Sequence, residues 1–229
     1  MLQDISTEVQ AGDRIAIVGI AGSGKTCLLR LLNRLATPTQ GRIRMNQQDY
    51  QQIPPVKLRQ QLTLVFQEPK LLGMTGKQAI AYPLHLRKLN ALEIDQRLGQ
   101  WTERLQIPGD WLDKSEIQLS LAQKQWIAIV RALVIQPQIL LLDEATTALE
   151  TGQLDRLCQT LNQDTHAPAI TLITSRNLQL AQQLECNRLW HLHQGRLLRD
   201  QLSHEINWIE FQAQIQQAKQ QAAEIWGED

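Results

Sequence analysis

The sequence predicts an α/β fold, a mainly parallel sheet covered by helices and interrupted by a helical insert. Two observations carry this. Residues 14–18, 139–142 and 169–174 are apolar or β-branched at consecutive positions rather than alternate ones, the pattern of strands covered on both faces. Between these runs the apolar residues recur at helical spacing, so strands and helices alternate along the chain.

Taken in order, the strand at 14–18 runs into a glycine-rich loop. Cys27, Leu28, Leu31, Leu32 and Leu35 then repeat at helical spacing, with Thr37-Pro38 as the expected stop. Residues 41–45 and 62–66 read as short strands, the first as an antiparallel β element of the amino-terminal part. From about 69 to 126 the chain is mostly helical and is punctuated by Pro69, Gly73, Gly76, Pro83 and Pro108-Gly109. An apolar helix at 127–135 leads through Gln136-Pro137 to the strand at 139–142. A polar amphipathic helix follows at 151–163. Residues 188–193 and 196–198 flank Gln194-Gly195 as a hairpin. Trp208, Phe211, Ile215, Ala218, Ala222 and Ile225 form one apolar seam on a last helix. That seam packs either on its own domain or on a second subunit.

The composition, 43% hydrophobic and 20% charged, is that of an ordinary globular protein. Lys plus Arg equals Asp plus Glu at 23 each, so the total charge gives no pull towards nucleic acid. Cys27, Cys158 and Cys186 are scattered, which suggests buried free thiols in a reducing compartment and no disulfide framework or zinc site. The amino terminus lacks the pattern of a secretory signal, and no apolar run is long enough to span a bilayer. A cytosolic chain is expected, with any membrane attachment through a partner. The histidines show no metal-ligand grouping; His191 and His193 read as surface residues, and Trp101, Trp111, Trp190 and Trp226 as packing residues.

Gly19-Ile20-Ala21-Gly22-Ser23-Gly24-Lys25-Thr26 fits G-x-x-x-x-G-K-[ST] in full. Its glycines let successive N–H groups turn inwards on phosphate oxygens, and the helix beginning here, with Cys27 in its first turn, adds a positive dipole end. Lys25 supplies a point charge for the β- and γ-phosphates, and the Thr26 hydroxyl is a Mg²⁺ ligand. A mere glycine turn containing Lys-Thr would not require a buried strand before it and an amphipathic helix after it. The second constellation is Ile139-Leu140-Leu141-Leu142-Asp143-Glu144. Asp143 at the strand end is placed to hold Mg²⁺ through its water shell, and Glu144 to polarise a water for attack on the γ-phosphate.

The order of phosphate loop, Gln67 after a strand, Leu119-Ser120-x-x-Gln123 and four apolar residues with Asp-Glu resembles the nucleotide-binding subunits of ABC transporters. The resemblance runs from about Leu2 to Leu198, and its spacing excludes small-molecule kinases and small GTPases. It implies a RecA-like P-loop NTPase core at 1–68 and 127–202, a helical subdomain at 69–126 and a carboxyl-terminal helix at 203–229. It implies ATP and Mg²⁺ as cofactors, a separate transmembrane permease as partner, and a homodimer or heterodimer that sandwiches two nucleotides. Gln67 falls on the Q-loop, which senses the metal and the attacking water. Ser120, Leu121, Ala122 and Gln123 fall on the signature motif, which in this family faces the nucleotide of the opposite subunit. Thr147 to Glu150 fall on the D-loop, and Thr174-Ser175-Arg176 on the switch loop. Within the family, Leu31-Leu32-Asn33-Arg34-Leu35 looks most like the small metal-exporter type.

Five positions depart from the family pattern. Leu121 and Ala122 stand where two glycines are usual, Ser175 where a histidine bonds the γ-phosphate, Glu150 for an aspartate and Trp126 for an arginine. An aromatic that stacks on adenine is also expected upstream of Leu2 and is not in the sequence. Losing one well-placed donor to a transferring group costs about 3 kcal/mol, a factor of a hundred. The expectation is a chain that binds ATP, hydrolyses it slowly as a homodimer, and gains from a second subunit with an intact signature motif. The alternatives are a soluble ABC-type ATPase and a regulatory subunit with little turnover.

Overall fold

The computed structural model describes residues 2–163, 166–175 and 178–226. β1 (Arg14–Val18) is buried from Ile15 onward, and its odd and even residues point to opposite sides of the sheet. Ile15 and Ile17 join one apolar cluster, with Leu28 and Leu29 of α1 (Lys25–Leu32), while Ala16 and Val18 join a larger one on the other face. The helix α1 is shorter than its spacing predicts. Asn33 caps it and turns its buried amide to the carbonyl of Leu62 at 3.2 Å, and Arg34 goes left-handed at φ 56°. The chain therefore leaves the helix before Leu35, which stays exposed.

The expected strand at 41–45 shrinks to β2 (Arg44–Met45), paired with β3 (Gln48–Asp49) across Asn46-Gln47. Both turn residues have positive φ, as a two-residue hairpin of matching twist requires. After α2 (Pro55–Gln61) and β4 (Leu62–Val65), the insert contributes α3 (Gly76–Leu86), α4 (Ala91–Arg104), α5 (Gly109–Asp113) and the start of α6 (Leu121–Leu133). Reciprocal capping boxes, Thr75 with Gln78, Asn90 with Glu93 and Ser120 with Gln123, fix where α3, α4 and α6 begin. The expected boundary at 126/127 falls inside α6. That helix is buried almost all round, and Trp126 is part of the insert's core, its indole N–H donating to Leu105 O at 3.2 Å. Trp101 is fully buried in the same cluster.

The remainder is β5 (Ile139–Asp143), α7 (Thr151–Gln163), β6 (Ile170–Ser175), α8 (Leu178–Gln183), β7 (Arg188–His193), β8 (Arg196–Leu202) and α9 (Trp208–Trp226). The main sheet has the order β4-β5-β6-β1-β7-β8, parallel except for the last pair. The first turns of α9 lie on their own domain: Phe211 and Ile215 are buried, the His191 ring meets Phe211 edge-on at 5.1 Å, and Arg199 lies over the same ring. His191 is thus half-buried rather than a surface residue. The side chains of Ala222, Ile225 and Trp226 fall outside the described residues, as does Arg176. Among the described residues no helix is long and apolar enough to cross a membrane.

Candidate functional site

Gln67, Asp143 with Glu144, Ser175 and Gly19 lie at or just past the carboxyl ends of β4, β5, β6 and β1, four consecutive parallel strands. In the ladder Asp143 stands opposite Thr174, and Ser175 opposite Val18, the residue before the glycine loop. The crevice beyond these strand ends is where open α/β sheets bind ligands.

The loop from Gly19 to Gly24 is shaped by its surroundings as well as by its glycines. A Cβ on Gly19 would lie 2.3 Å from the carbonyl of Leu192 and 2.5 Å from Ser23 Oγ. Gly24, the residue that caps α1, has φ 104°, which side-chain-bearing residues rarely adopt. The β7–β8 turn braces the loop, Gly195 N–H donating to Ser23 O at 3.0 Å and receiving Gln3 N–H on its own carbonyl at 2.8 Å. Leu28 N–H to Gly24 O begins the ladder of α1. By helix geometry the amides of Lys25, Thr26 and Cys27 face the loop mouth. Ile20, Ala21, Gly22 and Ser23 form the rest of the loop, Ser23 N–H donating to Ile20 O at 3.2 Å.

Lys25 is 5% exposed, its ammonium donating to the carbonyls of Gly19 at 2.8 Å and Ile20 at 3.0 Å. It lies 4.0 Å from Oε1 of Glu144, itself 6% exposed. Thr26 Oγ1 donates to Asp143 Oδ1 at 3.0 Å. A hydroxyl and a carboxylate held together at a helix start are the oxygen donors a hard, octahedral cation takes, so the pair fits Mg²⁺.

Glu144 has φ 48°, a left-handed conformation that costs a non-glycine residue about 1–3 kcal/mol. Three contacts hold it there. Its N–H donates to Thr174 Oγ1 at 2.8 Å, and its carbonyl accepts the Thr147 hydroxyl at 2.7 Å and N–H at 3.3 Å. Thr174 Oγ1 in turn donates to Asp143 Oδ1 at 2.9 Å. Thr174 thereby orients both carboxylate-bearing residues, a role that its place in the switch-loop segment does not announce. The available signal is weak, a hydroxyl next to last on a buried strand that also carries Thr171 and Ser175.

Ser175 is buried at the strand end, and Gln67 is exposed on the loop after β4. Ser120 and Gln123 bond one another in the capping box of α6, Gln123 N–H to Ser120 Oγ at 3.2 Å and Ser120 N–H to Gln123 Oε1 at 2.9 Å. Ala122 is half-buried, whereas Leu121 presents 58% of its surface to solvent. Cys27 is exposed, contrary to the expectation of three buried thiols, because α1 buries Leu28 and Leu29 instead.

The family model described as ABC transporter matches residues 2–147. The chain belongs to the ABC transporter family. Among curated relatives, the methionine import ATP-binding protein MetN of Caulobacter vibrioides is 34% identical over 212 residues, covering 90% of this chain and 63% of that protein. MetN of Geobacillus kaustophilus is 31% identical over 201 residues, covering 86% and 58%. The chain thus spans only about three fifths of the length of these ABC proteins. Among solved structures, cbiO1 from Clostridium perfringens, part of the ABC transporter complex cbiONQ, superposes with a TM-score of 0.78 at 26% identity, covering 95% of this chain and 86% of that one. The ATP-binding cassette MJ0796 bound to ADP and Pi gives 0.77 at 22% identity, over 88% and 90%, which bears on the fold alone. The α/β P-loop NTPase architecture expected from the sequence is the architecture of these ABC cassettes.

Proposed function

We propose that the chain binds Mg-ATP in the glycine loop, hydrolyses it across a sandwich of two ATP-binding chains, and drives a separate membrane permease from its cytoplasmic face. The observation that carries this is the buried Lys25 ammonium on loop carbonyls, 4.0 Å from Glu144, with the Thr26–Asp143 pair beside it. Polyphosphate oxygens entering the loop displace those carbonyls as partners of Lys25, and inward N–H groups take the remaining charge. Thr26 and Asp143, together with Gln67, would hold Mg²⁺, which would neutralise charge developing on the phosphates. Glu144 then orients the water and accepts its proton as it attacks, and Ser175 donates to the γ-phosphate. The helical insert at 69–126 would meet the permease, a role supported by exposed Leu72, Tyr82 and Leu86.

Turnover is slow in a homodimer. Leu121 projects beside Ser120, where the opposite chain's γ-phosphate would need close main-chain approach. A heterodimer partner with glycines at those positions would relieve this for the nucleotide held on Lys25.

The test is thermal. At a ~100-fold excess over Kd, Mg-ATP raises Tm by roughly 5–10 °C, and Lys25→Ala abolishes the shift. Glu144→Gln keeps the shift and lowers turnover at least about a hundredfold. A wild-type Tm indifferent to Mg-ATP sinks the binding assignment, and unchanged turnover in Glu144→Gln sinks the hydrolytic one.

A further inference from the structure

Glu116 opens the short 3₁₀ turn Glu116–Gln118 that leads into Leu119 and Ser120. Its carboxylate reaches across the entrance of the insert and accepts two main-chain N–H groups, from Leu71 at 2.8 Å and Gly73 at 2.7 Å. The receiving turn contains two successive left-handed residues, Leu72 at φ 60° and Gly73 at φ 73°. Backbone turned in this way converges its N–H groups on one point and makes a cup for an anion. Here the anion is the chain's own side chain. Those two N–H groups, Leu71 first, hold the Glu116 carboxyl below its usual range against a smaller opposing effect of burial, helped by Lys124 and Arg131.

Further bonds run along the same seam. Glu116 N–H donates to Met74 O at 3.2 Å, Gly76 N–H to Lys114 O at 3.1 Å, and Thr75 pairs with Ser115 as an isolated antiparallel bridge. At the other end the buried Gln125 amide donates to Phe66 O at 3.3 Å. The segment from Phe66 to Gly76, which contains Gln67, is therefore fastened at both ends to the segment from Lys114 to Gln125, which contains Ser120. Glu116 supplies the only side-chain carboxylate in that seam among the described hydrogen bonds.

From this geometry we infer that Glu116 is a positioning residue, whose carboxylate makes the turn after Gln67 and the N-cap of α6 move as one unit. Gln67 serves the chain's own nucleotide and Ser120 the opposite chain's. The inference rests on the ATP reading above, and its consequence is that nucleotide binding at the loop is felt at Ser120 through Glu116.

Hydrogen exchange on the full chain, with and without Mg-ATP, tests this in wild type, Glu116→Ala and the milder Glu116→Gln, which keeps the side chain's shape but exchanges one acceptor for a donor. In wild type, Mg-ATP slows exchange at 19–27 and alters it at both 66–74 and 117–124. In Glu116→Ala the responses at 19–27 and 66–70 persist, while that at 117–124 falls to less than about a third; Glu116→Gln lies between. The apparent KM for ATP stays within about twofold and kcat drops about tenfold, the effect of losing a charge-assisted bond that matters only in the assembled site. Without nucleotide, either variant exchanges faster at Leu71, Gly73 and 117–124. An unchanged response at 117–124 in both variants, no wild-type response there despite protection at 19–27, or nucleotide-free exchange identical to wild type overturns the inference. Absence of protection at 19–27 in wild type strikes the ATP reading instead, while the nucleotide-free comparison still judges Glu116.

Discussion

Cys27 sits in the first turn of α1, exposed at the mouth of the glycine loop, whereas Cys158 on α7 is half-buried and Cys186, just after α8, is buried. Burial pushes the Cys186 thiol up to about 12, and burial together with Asp155 and Glu185 pushes Cys158 up to about 11. The thiolate is the nucleophile, so both are poorly reactive near neutrality. Iodoacetamide is therefore expected to label Cys27 first, and saturating Mg-ATP to slow that labelling. Peptide mapping after brief alkylation checks both statements; labelling of Cys186 as fast as Cys27, or a Cys27 rate indifferent to nucleotide, contradicts them. Glu144 shows how far a single residue is constrained at such a site. Its left-handed backbone survives because Thr174 and Thr147 hold the groups on either side of it.

At the scale of elements, β7 and α9 carry a pH dependence. Burial, then Arg199 and His193, lowers the His191 pKa from 6.5 to about 4. The unfolded chain protonates this ring at higher pH than the folded one does, so between those values it binds more protons and folding stability rises with pH. Tm should fall as pH drops from about 6.5 towards 4, and His191→Gln should flatten that part of the profile; parallel profiles for the two proteins would refute the assignment. The contrast between α1 and β5 shows what local sequence discloses. β5 is legible because a strand covered on both faces is apolar at every position, and Asp143-Glu144 then stand out at its end. The end of α1 is not, because it depends on Asn33 finding Leu62 O, 29 positions away. Thr174 and Glu116 were hidden for the same reason: one acts through the register of β6 beside β5, the other through a turn 45 positions earlier. The glycine loop is a local motif legible in the sequence, whereas the bonds that orient the groups around it are long-range.

For the whole molecule, the question is what would limit the proposed sandwich. Lys25, Thr26, Asp143 and Glu144 are held by bonds within one chain, so under the proposed function each copy would bring its own phosphate grip. In the proposed sandwich the part borrowed from the opposite chain would be Ser120 with the first turn of α6, and there the exposed Leu121 would stand in the way of close approach. Removing the obstruction should do more than adding a group on the other side. Ser175 is only 2% exposed at the end of β6, so a histidine in its place must displace packed neighbours at a cost of about 1–3 kcal/mol. Leu121→Gly with Ala122→Gly is therefore expected to raise homodimer turnover at least about tenfold, a lowering of the barrier by about 1.4 kcal/mol. Ser175→His alone should lower Tm and bring no such gain in turnover. Glycines at N1 and N2 of α6 cost helix stability, roughly 1 kcal/mol each at most, so a modest Tm loss accompanying the faster rate fits. Steady-state ATPase assays across a range of protein concentrations separate the two effects, since relief at a shared site raises the rate per chain only once chains associate. A double variant that turns over no faster at any concentration would acquit Leu121 and move the limitation into the chain's own half of the site.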